Sequence, residues 1–91
     1  MRIITGTARG VRLVTLEGDD ITRPTSEAVK EAVFSMIQFD IEGHNVLDLF
    51  AGSGQLGLEA LSRGAVSASF VDASREAMEI VKKNAKSTGF F

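Results

Sequence analysis

The sequence predicts an α/β fold in which a helix connects two parallel strands, in the manner of a Rossmann-like sheet. Two apolar runs, residues 46–50 and 67–71, have the length of buried strands, and a stretch with helical spacing lies between them. A glycine-rich turn directly follows the first run. Since a strand, a helix and a second strand in this order form a right-handed βαβ unit, we expect both strand ends to meet at one sheet edge.

The beginning of the chain predicts a β-hairpin. Residues 2–5 and 11–16 are rich in β-branched and large apolar side chains, as strands are. Between them lies a short stretch that contains Gly6 and Gly10, which is typical of a hairpin turn.

A loop and a first helix follow the predicted hairpin. Residues 17–24 are polar and end at Pro24, the only proline, so we expect a loop there. Thr25 or Ser26 can then cap a helix that runs to about residue 38. Four apolar residues lie on one face of that helix at helical spacing: Val29, Val33, Met36 and Ile37.

Two more helices frame the second strand. The first of these runs over residues 55–63 and stops at Gly64, a residue typical of a helix end. The second begins after Ser74, whose side chain can cap it, and ends at residues 88–89. Its predicted buried stripe consists of Ala77, Ile80, Val81 and Ala85.

The glycine-rich turn indicates a nucleotide-like ligand. Gly52, Gly54 and Gly57 have the spacing G-x-G-x-x-G between a strand and a helix, where a ligand can approach the backbone closely. Asp48 precedes them near the end of the first strand, where its carboxylate would repel a pyrophosphate and could pair with a cation. S-adenosylmethionine carries an ammonium and a sulfonium, whereas NAD carries two phosphates. The charge therefore favours the methyl donor over NAD.

A second acid supports an adenosine ligand at the same place. Asp72 ends the second apolar run and lies 20 residues after Gly52. At this spacing an acidic side chain accepts hydrogen bonds from ribose hydroxyls. Because both cofactors contain such a ribose, Asp72 does not choose between them.

Composition limits the other functions. The 91 residues contain no cysteine, which excludes disulfides and thiolate metal sites. No apolar run approaches the roughly 18 residues of a membrane helix, so we expect a cytoplasmic protein without a membrane partner. The net charge of −2 gives no general case for nucleic-acid binding.

The charge distribution is nevertheless uneven. Residues 1–16 contain Arg2, Arg9 and Arg12 and no acidic residue. Such a patch can contact RNA phosphates, although three arginines on a surface hairpin can equally be ordinary solvated charge.

Taken together, these motifs resemble a known enzyme family. The similarity is to the bacterial methyltransferase that modifies a guanine exocyclic amine in small-subunit ribosomal RNA. It is carried by residues 1–6, Arg9-Gly10, Arg23-Pro24-Thr25, 46–54 and 58–65. This resemblance implies a class I methyltransferase fold, S-adenosylmethionine as cofactor, and ribosomal RNA or the small ribosomal subunit as partner.

The resemblance also implies roles for individual residues. Asp48 would line the cofactor site with Gly52, Ser53 and Gly54. Asp72 with Ala73 would hold the adenosine end, and Arg23 with Thr25 would cover the methionine end. Residues 1–24 would form an N-terminal hairpin and loop, and residues 25–91 the front half of the cofactor-binding domain.

One signature of that family does not occur in the sequence. The family places an Asp or Asn, two prolines and an aromatic residue after its fourth strand, where they would bind the target amine and stack on the flipped base. Pro24 is the only proline here, so we name no catalytic residue and expect the chain to be an incomplete, truncated front half. The alternatives are an NAD(P)-binding piece of an oxidoreductase and a non-catalytic, self-associating fragment.

Overall fold

A computed structural model of the protein describes residues 2–14, 26–49 and 52–90. Three helices and two strands alternate along these ranges. In chain order they are α1 (Ser26–Met36), β1 (Asn45–Leu49), α2 (Gln55–Ser62), β2 (Ser67–Val71) and α3 (Arg75–Thr88). Among the described residues, no helix has both the length and the apolar character that a membrane crossing requires. The predicted loop with Arg23, Pro24 and Thr25 lies outside the described residues.

The two strands form the predicted parallel pair. In the register, Asp48 lies opposite Phe70 and Leu49 lies opposite Val71. Helix α2 connects the strands, so the βαβ unit inferred from the sequence is confirmed.

Local signals set the ends of α3. Ser74 is its N-cap, and the Ser74 side chain accepts a hydrogen bond from the Ala77 N–H. Gly89 ends the helix in the left-handed conformation, with φ 85°. The turn brings the Phe90 N–H to the Ala85 carbonyl at 2.9 Å. As a result Phe90 is half-buried against the core.

Side chains alternate between the two faces of the sheet, and the described helices cover only one face. Val46 and Phe70 point toward the helices and pack against their buried residues. The opposite face, here called the bare face, is exposed throughout. It consists of Asn45, Leu47, Leu49, Ser67, Ser69 and Val71.

The predicted N-terminal hairpin does not form as a pair of strands. In the N-terminal segment, residues 2–14, the pairing reduces to one antiparallel bridge between Arg2 and Arg12. Beside it, the Ile3 N–H donates to the Val11 carbonyl at 3.0 Å. A continuous ladder of hydrogen bonds along the hairpin would need further backbone N–H and carbonyl groups, but those of Ile4 and Thr5 bind side chains of α2.

Two side chains of α2 form hydrogen bonds with the backbone of the N-terminal segment. The N–H groups of Ile4 and Thr5 donate to the two oxygens of the buried Glu59 carboxylate, at 2.8 and 3.1 Å. The buried Ser62 hydroxyl donates to the Thr5 carbonyl and accepts from the Ala8 N–H. The segment is therefore fastened to α2 by side chains instead of continuing a ladder.

The apolar face predicted for α1 is also different in the structure. Val29, Val33 and Met36 are 56%, 43% and 82% exposed, and Ile37 follows them at 39%. Among residues 28–36 of α1, the buried ones are Lys30 and Phe34. Lys30 is accepted in the interior because its ammonium lies 3.1 Å from Glu59 and donates to the Arg2 carbonyl at 3.0 Å.

The bare face predicts that the chain associates with itself. Leu47, Leu49 and Val71 are 60%, 58% and 49% exposed there. Apolar surface that a second copy covers contributes about 25 cal/mol per Å², which offsets the free-energy cost of association. Light scattering at micromolar concentration should therefore give a mass above that of the monomer.

A pair of variants locates the contact. Leu49→Lys places a charge on the bare face and should restore the monomer, whereas Met36→Lys, on α1, should leave the association unchanged. A compact monomer with cooperative unfolding in the unmodified chain would contradict the prediction.

Candidate functional site

The carboxyl ends of both strands meet the glycine-rich turn. Asp48 lies one residue before the end of β1, and Asp72 directly follows β2. The Gly52 N–H donates to Asp72 Oδ2 at 3.0 Å, which ties the turn after β1 to the end of β2. Ligands of open parallel sheets bind at this edge. The structure thus brings Asp72 and the first glycine together, as the sequence predicts.

The turn itself requires glycine. Gly52 and Gly54 have φ of 58° and 80°, in the left-handed region that other residues rarely adopt. A Cβ at Gly54 would also come within 3.1 Å of Val81. Gly54 is the N-cap of α2, and its carbonyl accepts from the Leu58 N–H at 2.9 Å. Residues 52–54 are here called the glycine turn.

The third glycine of the motif serves packing. Gly57 is buried in the first turn of α2, and a Cβ there would collide with the Phe70 ring. Its absence lets the helix lie close to β2. The motif therefore combines a tight turn with a close helix–strand contact, the combination that dinucleotide-type sites use.

Asp72 is a fixed, ionised acceptor. Its Oδ1 accepts from the Ser74 N–H at 2.9 Å, and its Oδ2 accepts from Gly52. The Ser74 and Gly52 hydrogen bonds hold the pKa of this carboxyl below its usual value. Since a carboxylate has about four acceptor positions, it has capacity for further donors such as ribose hydroxyls.

Asp48 has a different environment. It is 6% exposed, and its Oδ2 accepts from the Gly57 N–H at 3.1 Å. Burial raises the pKa of this carboxyl, and the Gly57 hydrogen bond opposes the rise. Its first role is therefore to tie β1 to the start of α2. A cationic ligand nearby would favour its ionised form.

Two cavities adjoin the acids. One, of about 330 Å³, lies between α1 and β1, with Asp48 on its wall among mainly apolar residues that include Val33, Ile37 and Leu56. The other, of about 460 Å³, lies beside Asp72. Its walls are Asp72, Ala73, Ser74, Arg75, Met78, Glu79 and Lys82. Within the described ranges, no three metal-ligating side chains come together.

The three arginines of the N-terminal segment are all exposed. Arg2 and Arg12 lie opposite each other in the antiparallel bridge, while the neighbouring Ile3 and Leu13 point into the core. Arg23 and Thr25, the other predicted contacts, lie outside the described residues.

Sequence reasoning missed the polar residue beneath the glycine turn. Asn84 on α3 is fully buried, and its Nδ2 donates to the Ser53 carbonyl at 2.8 Å. A signal was present in the sequence, because Asn84 follows Ala77 and Val81 on the buried face of α3 at helical spacing. A polar side chain at such a position needs internal partners.

Comparisons with known proteins agree with this architecture. The family model described as Conserved hypothetical protein 95 matches residues 1–91. The YlbH protein of Bacillus subtilis, which carries the name of an rRNA methyltransferase, is 49% identical over 86 residues. Ribosomal RNA small subunit methyltransferase D of Haemophilus influenzae is 42% identical over 84 residues. The solved structure of hypothetical protein TTHA0928 from Thermus thermophilus superposes with a TM-score of 0.83 at 37% identity.

These similarities extend over nearly all of the chain but only part of each relative. The matches to YlbH, methyltransferase D and TTHA0928 cover 94%, 92% and 98% of the chain. They cover 46%, 43% and 50% of those proteins. The chain therefore spans about half the length of these relatives.

The contact between Gly57 and Phe70 leads to a stability prediction. Gly57→Ala should destabilise the fold by about 1–3 kcal/mol, because the new methyl group overpacks the interface between α2 and β2. Urea denaturation measures the change. In a Phe70→Leu background the clash is smaller, so the same substitution should have less effect. An equal loss in both backgrounds would mean that the ring is not the obstacle.

Proposed function

The chain belongs to the family described as Conserved hypothetical protein 95, and from this premise we propose that it supplies the S-adenosylmethionine site of a ribosomal RNA methyltransferase. The observation that carries the proposal is the convergence of the glycine turn, Asp48 and Asp72 at the carboxyl ends of two parallel strands. In this proposal residues 25–91 belong to the cofactor-binding domain, and residues 1–24 form an N-terminal region that contacts RNA.

Each of the two acids binds a different end of the cofactor in this proposal. Asp72, with Ala73 beside it, accepts hydrogen bonds from the ribose of the adenosine end, where its lowered pKa keeps it ionised. Asp48 faces the cationic methionine end, and the glycine turn lets the ligand approach the backbone of Ser53. Arg23 and Thr25 would cover the methionine end. Bound S-adenosylmethionine supplies an electrophilic methyl group on its sulfonium.

The substrate follows from the relatives and from the basic surface. Methyltransferase D of H. influenzae is named for small-subunit ribosomal RNA, and we extend that substrate to this chain, with the exocyclic amine of a guanine as the methyl acceptor. Arg2, Arg9 and Arg12 would contact the phosphates of the RNA or of the small ribosomal subunit. Such contacts position the RNA without reading its sequence.

The proposal assigns no catalytic residue to the chain. The reaction would require the amine nitrogen to attack the methyl carbon in line with the sulfonium, so that the N–C bond forms as the S–C bond breaks and S-adenosylhomocysteine leaves. The methylated amine would then lose a proton to water. In the family that the sequence resembles, an Asp or Asn before two prolines would hold that amine. The 91 residues contain no Asp or Asn followed by two prolines.

Calorimetry tests the cofactor assignment. The chain should bind S-adenosylhomocysteine in preference to NAD, because Asp48 disfavours a pyrophosphate. Asp72→Ala should weaken that binding roughly ten- to a hundredfold, since hydrogen bonds to a charged acceptor are lost. Glu31→Ala, an exposed acid on α1, is the matched control and should bind as the unmodified chain does. NAD binding with none for S-adenosylhomocysteine would reverse the assignment.

RNA binding tests the basic surface. The double variant Arg9→Gln/Arg12→Gln should bind small-subunit ribosomal RNA more weakly and leave cofactor affinity unchanged. If each arginine neutralises one phosphate, the slope of log K against log salt should become shallower by about 1.4–1.8. Lys83→Gln/Lys86→Gln on α3 removes the same charge elsewhere and should change neither value as much. Unchanged affinity and slope in the arginine variant would mean that the patch is ordinary solvated charge.

A further inference from the structure

One buried amide joins the two surfaces that the proposed function uses. Asn84 is fully buried on α3 and makes three side-chain hydrogen bonds. Its Oδ1 accepts from the Val14 N–H at 2.7 Å, and its Nδ2 donates to the Val14 carbonyl at 2.8 Å. The second Nδ2 hydrogen goes to the Ser53 carbonyl, also at 2.8 Å.

The partners of Asn84 lie far apart in the chain. Ser53 belongs to the glycine turn, and Val14 lies in the N-terminal segment, two residues after Arg12. The glycine turn is where the proposed cofactor binds, and the segment carries the arginines that would contact RNA. A single side chain therefore spans from one binding surface to the backbone of the other.

The chemistry of the amide makes this link sensitive to movement. Both amide hydrogens have an acceptor, and Asn84 itself is fully buried. If the glycine turn moved away, the Nδ2 group would lose a partner in a place where water cannot replace it, which is unfavourable. A movement of Val14 would remove the partners of Oδ1 and of the other Nδ2 hydrogen. Each partner thus holds the amide in the position that the other requires.

We propose that Asn84 is a positioning residue that couples the glycine turn to the N-terminal segment, so that a ligand at the turn stabilises the segment. This inference rests on the proposed function for the identity of the ligands. By linkage the coupling is reciprocal: RNA on the segment strengthens cofactor binding by the factor by which the cofactor strengthens RNA binding.

Amide hydrogen exchange of the whole chain, followed by NMR, tests the coupling. The Ile3 N–H reports on the segment without contacting Asn84, because it donates to Val11. The Leu58 N–H reports on the turn, and the Val66 N–H, which donates to His44, is a remote reference. S-adenosylhomocysteine should slow exchange at Leu58 and at Ile3, relative to Val66, by about fivefold or more.

Asn84→Ala should weaken the link. The ligand should still slow exchange at Leu58, while the slowing at Ile3 should fall clearly below that in the unmodified chain, to the part that α2 transmits through Glu59. Ile41→Ala, a buried residue of the other core cluster, is the control: it destabilises the fold but should retain the response at Ile3. An equal response at Ile3 in the Asn84→Ala variant would overturn the proposal. If that variant does not fold, Asn84→Asp, which keeps the acceptor and loses both donors, replaces it.

A ligand-free arm separates this inference from the proposed function. Gly54→Ala disturbs the turn through its positive φ, and should speed exchange at Ile3, relative to Val66, more strongly when Asn84 is present than in the Asn84→Ala background. One outcome is that S-adenosylhomocysteine gives no heat of binding in calorimetry and no slowing of amide exchange, while the effect of Gly54→Ala on Ile3 still depends on Asn84. In that case the cofactor assignment fails and the coupling stands. If Ile3 does not respond, or responds equally without Asn84, the coupling is overturned.

Discussion

The buried carboxylate of Glu59 holds together α1, α2 and the N-terminal segment. Glu59 is fully buried on α2, and four donors surround it: the Ile4 and Thr5 N–H groups, the Lys30 ammonium at 3.1 Å and the Arg63 guanidinium at 2.9 Å. Burial alone would raise its pKa, but these donors together hold the pKa below the usual value. One charge thus fixes α1, α2 and the N-terminal segment to each other.

This constraint reaches the candidate site through α2. The helix begins at the glycine turn and carries Glu59 one turn further on, so the segment that Glu59 fastens and the turn that binds the proposed cofactor share one rigid element. A buried charge with its partners intact is tolerated, whereas the loss of one partner leaves uncompensated charge in the interior. Because folding lowers the pKa of Glu59, the ionised carboxylate contributes to stability at any pH above the pKa that Glu59 has in the unfolded chain. This contribution is lost as the pH falls through the pKa that Glu59 has in the folded protein.

The features that the sequence predicted are those that local chemistry determines. Ser74 caps α3 through its own hydroxyl, Gly89 ends it, and the glycine spacing of the turn requires neighbours only a few residues away. The predicted hairpin failed because its backbone groups bind Glu59 and Ser62, more than fifty residues further along the chain. The buried faces of the helices were only partly predictable, since Lys30 and Asn84 occupy apolar positions by virtue of distant partners.

At the site, the meeting of Asp72 with Gly52 followed from the parallel strands. The Gly57 hydrogen bond of Asp48 did not, because it depends on how closely α2 approaches β1.

An NMR titration of the Glu59 side-chain carboxyl carbon, with the amide protons of Ile4 and Thr5 followed in the same samples, tests the central role of this residue most directly. We expect the carboxyl to titrate below its usual pKa and both amide protons to shift with the same midpoint, because they donate to its two oxygens. A Glu59 that titrates at its usual pKa, with Ile4 and Thr5 amide protons that do not respond, would contradict it.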